Sequence, residues 1–498
     1  MPEADLLLTV DQGSTSTKAL LVDRHGDVRK TATAPVSSTY PRPGWVEQSA
    51  GELVDSVRRA VATVMQDVSA SRIAGLCFSS QRESLVLWDA TTGNPASPLV
   101  SWQDQRTTDM CRTLRDKGAG EWVSQITGLP LDPMFSGTRA TWLLDTADPS
   151  RAEARSGRLQ LGTVDSWLLR QLTGAHVTEP GNASRTQLMN LRDRDWDADL
   201  LDLFDVPRSV LPRIVPSAGP FPAVRGLEPL LDGTPVLAVL ADSHAALFAH
   251  GAWFPGQVKA TYGTGSSIMG VCETGAPVPE GLCLTVAWEG TEPVYAIEGN
   301  IRASGSTFAW LARTLATTPA ALADLARSVP ASGGVYLVPA FNGLGAPWWD
   351  ADAQALITGL TFGTEPAHIA RAALESIAYQ VEDVLAAMSQ ATGPLTDLLA
   401  DGGASENQDL MQVQADISGR LVRSSAVTHL SPLGAAHYGG ITGGLWTRDD
   451  LQHWPRSYTS HTPRLAEDAR RVLRCQWNAA VSQARMRAEA QEISKSEG

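Results

Sequence analysis

Apolar residues run from Leu6 to Val10, stop at Asp11 and resume from Ala19 to Val22, with the polar stretch DQGSTSTK between them. Two short apolar runs joined by a Gly- and hydroxyl-rich segment predict a β-hairpin rather than a helix. After PGWVEQ the period changes: Leu53, Val57, Ala60, Val61 and Val64 recur at helical spacing, and Ser49 stands where a cap is needed before Glu52. IAGLCFSSQ and ESLVLWD read as buried strands, and GTRATWLLDT as a helix. A second strand-turn-strand unit, GQVKATYGTGSSIMGVC, follows ADSHAALFAHGAWFPG, whose Gly and Pro place a domain boundary at Phe254–Gly256. A third segment, TDLLADGGASENQDLMQVQADISG, passes from a strand through a Gly pair into an amphipathic helix beginning near Asn407. Two glycine-hydroxyl turns half a chain apart predict two domains of related architecture, residues 1–253 and 254–498.

Length agrees with that division, because 498 residues exceed what one hydrophobic core usually supports. Acids outnumber bases 54 to 40, a net charge of -14, so a nucleic acid or an anionic membrane is not an expected partner and a small molecule is. The N-terminal residues carry acids rather than a basic region ahead of a long apolar one, so no signal peptide is expected, and no apolar run is long enough to span a membrane. Cys77, Cys111, Cys272, Cys283 and Cys475 are odd in number and lack Cys-x-x-Cys spacing. They predict buried structural thiols in a reducing cytoplasm, not disulfides or a zinc site.

The turn from Asp11 to Lys18 offers backbone N–H groups, small hydroxyls and one cation, a set that cradles phosphate. A carboxylate there would repel phosphate, and its natural role is to hold Mg²⁺, an ion that keeps much of its water. The second turn, TYGTGSS, places Thr264 between Gly263 and Gly265, where bare backbone allows close approach. DGGASENQ adds a glycine pair on which a flat ligand can lie. Together these describe a nucleoside triphosphate site that is neither a Walker A loop nor a dinucleotide fingerprint.

With PGWVEQ, SSQRESLVLWD, SWQDQRT, TGLPLDPMFSGTRATWLLD, GTVDSWLL, NASRTQLMNL, VPAFNGLGAPWWD, ITGLTFGTEPAHIARAALESIAYQ and SPLGAAHYGG, the chain resembles the FGGY carbohydrate kinases over nearly its whole length, and the glycerol kinase branch most. That resemblance implies an α/β fold of two ribonuclease-H-like domains, as in the actin, Hsp70 and sugar kinase superfamily, with an ATP and substrate cleft between them. By the same resemblance Asp11 holds Mg²⁺, and Ser14, Thr15, Ser16 and Lys18 line the phosphates of ATP. Thr264 and Gly305 add contacts, and Gly403 and Asn407 take the nucleoside. Arg82 and Glu83 grip adjacent hydroxyls of the acceptor, Trp102 walls its pocket, Met134 and Ser243 border it, and Asp242 is the general base. Read without the family, an adjacent Arg–Glu is usually a solvated surface pair, and an Asp such as Asp242 is often a helix cap. His244 completes no triad and is not expected to be catalytic.

The departures from the glycerol kinase pattern gather at the acceptor. A tyrosine is Met134, a glutamine is Ser243 and a phenylalanine is Ser267, and two of these changes remove bulk, so a polyol or ketose of four or five carbons is expected to fit. The signature lysine is Arg139, and a glutamine near the nucleotide is Ala309. RGLEPLLDGTPVL lacks the glycine-rich stretch through which some glycerol kinases bind fructose 1,6-bisphosphate, so that feedback is not expected. The expected reaction is ATP-dependent phosphorylation of a terminal hydroxyl of glycerol or a slightly larger polyol or ketose. The alternatives are a xylulokinase or ribulokinase type of pentulose kinase and, from another class, a non-catalytic ATP-dependent binding protein. Family members are often dimers or tetramers, so a homo-oligomer is expected.

Overall fold

The computed structural model describes residues 4–496, with side chains as far as Met486. The first hairpin forms, with strands Leu6–Gln12 and Ser16–Asp23. They reach further into the polar stretch than the apolar pattern predicts and leave only Gly13–Thr15 as the turn. Polar residues extend the strands because they find partners across the ladder. Asp11 lies opposite Lys18, and the Thr17 hydroxyl donates to Gln12 Oε1 at 2.8 Å.

A five-stranded sheet follows in the order Val236–Ala241, Ile73–Ser80, Leu6–Gln12, Ser16–Asp23 and Val28–Pro35, its first three strands parallel. Side chains alternate across it. Leu6, Leu8 and Val10 join the core formed with Leu53, Val57 and Val61 of the helix Ala50–Val64. That helix starts as predicted, the Ser49 side chain accepting from the Glu52 N–H. Thr9 and Asp11 take the opposite face, where the Thr9 hydroxyl donates to Pro432 O of the helix Leu430–Thr442. The same face carries the helix Asp242–Ala249, which begins directly at the end of its strand. Leu85–Asp89 pairs with Leu159–Thr163 in a smaller sheet, and the helix predicted over GTRATWLLDT spans Ser136–Ala147.

The chain divides into two compact units, and not by a single cut at 253/254. One unit comprises residues 1–251 with Leu284–Ala296 and His429–Trp454, and the other comprises Ala252–Cys283, Ile297–Thr428 and residues 455–498. The later segments return to the first unit because its sheet needs a cover on the Asp11 face, and the helix Leu430–Thr442 supplies it. In the second unit Ser266–Cys272, Val258–Tyr262, Leu398–Asp401, Val422–Ser425 and Tyr458–His461 are successive neighbours in a sheet. The long helix Pro366–Thr392 packs on it so closely that a Cβ at Gly299 would lie 2.4 Å from Val384 Cγ1.

Cys77, Cys111, Cys272 and Cys283 are buried as expected, but Cys475 is exposed. It sits on the helix Glu467–Ser496, whose Trp477, Ala480, Val481 and Ala484 form the buried stripe, and two residues before Trp477 is the opposite face. Among the described residues no helix is long and apolar enough to cross a membrane.

Candidate active site

Three parallel strands end side by side in the first unit, and their carboxyl ends carry the candidate chemistry, the position where open α/β sheets usually bind ligands. Asp11 pairs in register with Ser79, and Ala241 with Ser80, so Asp242 follows at the same edge. The Ser79 hydroxyl donates to Asp11 Oδ1 at 2.8 Å. Burial first, and the negative Asp242 second, push the Asp11 carboxyl up to about 6 against the pull of Ser79 and Lys18.

Arg82 and Glu83 follow the strand Ile73–Ser80. Their side chains are only 8% and 5% exposed, so this is not the solvated pair that an adjacent Arg–Glu usually forms. Arg82 Nε lies 3.7 Å from Asp242 Oδ1 and 3.9 Å from Glu83 Oε1, bringing the predicted diol grip to the predicted base. Glu83 has a φ of 60°, a conformation disfavoured for glutamate and held here by its surroundings. Its carboxylate accepts from Arg185 Nε at 2.7 Å, and its carbonyl accepts from the Ser136 hydroxyl and from Arg139.

Arg139, at the signature lysine position, is fully buried and points at backbone. It donates to the carbonyls of Glu83, Met134 and Ser101 and so gathers the segments that carry three predicted acceptor residues, Glu83, Met134 and Trp102. Burial lowers its basicity to about 10. Met134 is buried, its N–H bound to Asp132 Oδ1, and the Ser243 N–H donates to Asp242 Oδ1 at 2.6 Å. His244 is buried on the same helix, so close to Gly181 that a Cβ there would lie 2.7 Å from Nδ1.

The turn residues play unequal parts. Thr15 is exposed, and Ser16 O accepts the Gly13 N–H to close the turn. Ser14 is a junction: its hydroxyl donates to Gln81 Oε1 at 3.1 Å and accepts from Trp102 Nε1 at 3.0 Å, while its carbonyl accepts from Gln48 Nε2 at 2.6 Å. Gln48, Ser79, Gln81 and Arg185 were not singled out from the sequence. Their segments stand among the family motifs, but no spacing marks these side chains.

In the second unit the nucleotide candidates meet at the ends of Val258–Tyr262 and Leu398–Asp401, where Thr261 pairs with Asp401. The Ser304 N–H donates to Thr264 O and the Gly305 N–H to Gly263 O, seating the start of the helix Gly305–Thr314 on the turn. A Cβ at Gly305 would come within 2.7 Å of Gly263 O, whereas Gly403 faces open space. Asn407 caps the helix Gln408–Ser418 through Oδ1. Ser267 donates to Glu298 Oε1, which also accepts from Asn300.

Residues 6–249 match the N-terminal domain, and residues 258–443 the C-terminal domain, of the FGGY family of carbohydrate kinases. The chain belongs to that family. As a member it is a carbohydrate kinase, a phosphotransferase acting on an alcohol group. It is 42% identical to the glycerol kinase of Aromatoleum aromaticum, over 96% of this chain and 98% of that protein. It is 40% identical to the apulose kinase of Pectobacterium atrosepticum, over 97% and 99%. The crystal structure of Plasmodium falciparum glycerol kinase with ADP superposes with a TM-score of 0.89 at 27% identity, covering 97% of this chain and 98% of that one. The two-domain α/β sugar kinase fold expected from the resemblance is therefore present.

Proposed function

We propose that this kinase phosphorylates a terminal hydroxyl of glycerol or of a slightly larger polyol or ketose, with Mg-ATP as donor, in the cytoplasm. The observation that carries the reading is the Arg82, Glu83 and Asp242 cluster, with Asp242 Oδ1 and Glu83 Oε1 both within 4 Å of one guanidinium nitrogen. Arg82 supplies donors and Glu83 acceptors for neighbouring hydroxyls of the acceptor. Asp242 orients the terminal hydroxyl and takes its proton as the oxygen bonds to the incoming phosphoryl group. Lys18 and the N–H groups of the Gly13–Thr15 turn offset charge on that group.

Asp11 fits Mg²⁺: it is a hard oxygen ligand whose ionised form is disfavoured by burial and by Asp242, which a divalent cation would relieve. When bound, the ion neutralises phosphate charge, and Asp11 alone in this chain is assigned to hold it. Thr264, Gly305, Gly403 and Asn407 are the contacts proposed for the nucleotide.

Phosphoryl acceptance is measured as ADP release with Mg-ATP against glycerol, erythritol, xylitol, ribitol, apulose, xylulose and ribulose. A preference for one of these, reduced about 10²–10⁴-fold by Asp242→Asn, is the expected outcome. Turnover within about tenfold of wild type in that variant would remove Asp242 as the base. The relationship to the apulose kinase favours the ketose arm as the second reading. A rate on a ketose far above that on the matching alditol would establish it.

A further inference from the structure

Two of the three side chains hydrogen-bonded to Ser14, those of Trp102 and Gln48, sit on segments that lead back to one side chain. Trp102 Nε1 reaches the Ser14 hydroxyl from the segment 101–106, and Gln48 Nε2 reaches its carbonyl from the segment 44–48. Those segments are laced together, the Ser101 N–H donating to Val46 O, the Gln105 N–H to Gly44 O, and the Val46 N–H to Asp104 Oδ2 at 2.6 Å. Arg106 closes the lacing. Its Nε donates to Asp104 Oδ1 at 2.8 Å, and its Nη2 donates to Asp104 Oδ2 and to Glu47 Oε1, both at 2.8 Å.

The guanidinium carbon also lies 3.7 Å from the ring centroid of Trp45 and 4.3 Å from that of Trp142, two indoles that stand edge to face at 5.3 Å. Trp142 belongs to the helix Ser136–Ala147, so three separate segments converge on one side chain that is 1% exposed. Its Nη1 is buried with no hydrogen-bond partner among the described residues, so that the Nε–Nη2 edge of the guanidinium carries all its hydrogen bonds to Asp104 and Glu47. Lysine, a point charge without a fork, cannot make the paired hydrogen bonds to Asp104 and Glu47 while also lying against both indoles.

We infer that Arg106 is a positioning residue: it clamps the segments 44–48 and 101–106 to each other and so holds the acceptor wall Trp102 against the Ser14 turn. The functional part rests on the kinase reading of Trp102 and Ser14. Acceptor and phosphate contacts joined at one serine keep the hydroxyl in line with the phosphoryl group, and loosening the joint costs alignment rather than nucleotide affinity.

Arg106→Lys and Arg106→Ala are compared with the full-length protein by backbone hydrogen exchange and by steady-state kinetics. Exchange at residues 13–16, 44–48 and 100–106 is expected to rise by about tenfold or more while the strand Ile73–Ser80 stays protected. The acceptor KM rises and kcat falls, each by about tenfold, with the KM for ATP changed by less than about threefold, and millimolar methylguanidine restores turnover to Arg106→Ala but not to Arg106→Lys. Wild-type kinetics in Arg106→Lys, or a rise in both KM values together without rescue, would overturn the inference. Should wild-type protein phosphorylate none of the acceptors, the kinase reading falls, and exchange then decides the clamp alone: a rise at residues 13–16 supports it and unchanged exchange there refutes it.

Discussion

Asp11 shows how one residue carries both a cost and a use. Burial, and then Asp242, push its carboxyl from the ordinary 3.8 up to about 6. A raised carboxyl means that the folded chain holds its proton more tightly than the unfolded chain, so this group makes the fold less stable as pH rises from about 4 to 6 and adds no further loss above that. Binding a divalent cation needs the ionised form. Mg²⁺ affinity, measured by calorimetry, is therefore expected to rise by up to about tenfold per pH unit below 6 and to level off above it. Asp242→Asn removes the second cause and should move that midpoint downward. An affinity independent of pH between 5 and 7 would exclude Asp11 as the ligand. None of this titration is visible in the string DQGSTSTK, because burial and the second carboxylate are set by strands from other parts of the chain.

Elements were more legible than side-chain roles. The helix Ala50–Val64 begins at its predicted serine cap, and the Gln408–Ser418 helix begins at Asn407, because caps and apolar periodicity act over a few residues. The strands Leu6–Gln12 and Ser16–Asp23 outran the prediction, since their polar ends are stabilised by partners rather than by apolar burial. One tight approach between elements concerns the helix that presents Asp242. A Cβ at Gly434 of the helix Leu430–Thr442 would lie 1.8 Å from Ala245 O, backbone that has nowhere cheap to go. Gly434→Ala is expected to destabilise the protein by about 2 kcal/mol or more and to lower kcat in whatever fraction stays folded, because the helix bearing Asp242, the proposed base, must shift. A melting temperature and kcat equal to wild type would show that the two helices part without consequence.

At the scale of the whole molecule, the order of segments matters. The first unit takes in Leu284–Ala296 and His429–Trp454 after the chain has already entered the second unit. A fragment of residues 1–253 would therefore lack the helix that covers the Asp11 face of the sheet, and it is expected to bind a hydrophobic dye and to melt without cooperativity. A cooperative melt like that of the full chain would contradict this account. The expected division at 253/254 came from a Gly- and Pro-rich connection, a local signal that marks where a chain leaves a unit and carries no information about later returns.

Short-range physics is what the sequence determined alone: alternation for strands, period and caps for helices, glycine where backbone must come close, and the motifs that mark a sugar kinase. Tertiary structure decided which polar groups were buried and what they touch. The Arg82–Glu83 pair reads as a surface pair until the fold buries it, and nothing in the turn sequence shows that Trp102, 88 residues away, reaches the Ser14 hydroxyl. Arg185 finds Glu83 across 102 residues. A side chain's environment is supplied by whatever the topology brings beside it, and residues that far apart impose no pattern on one another along the chain.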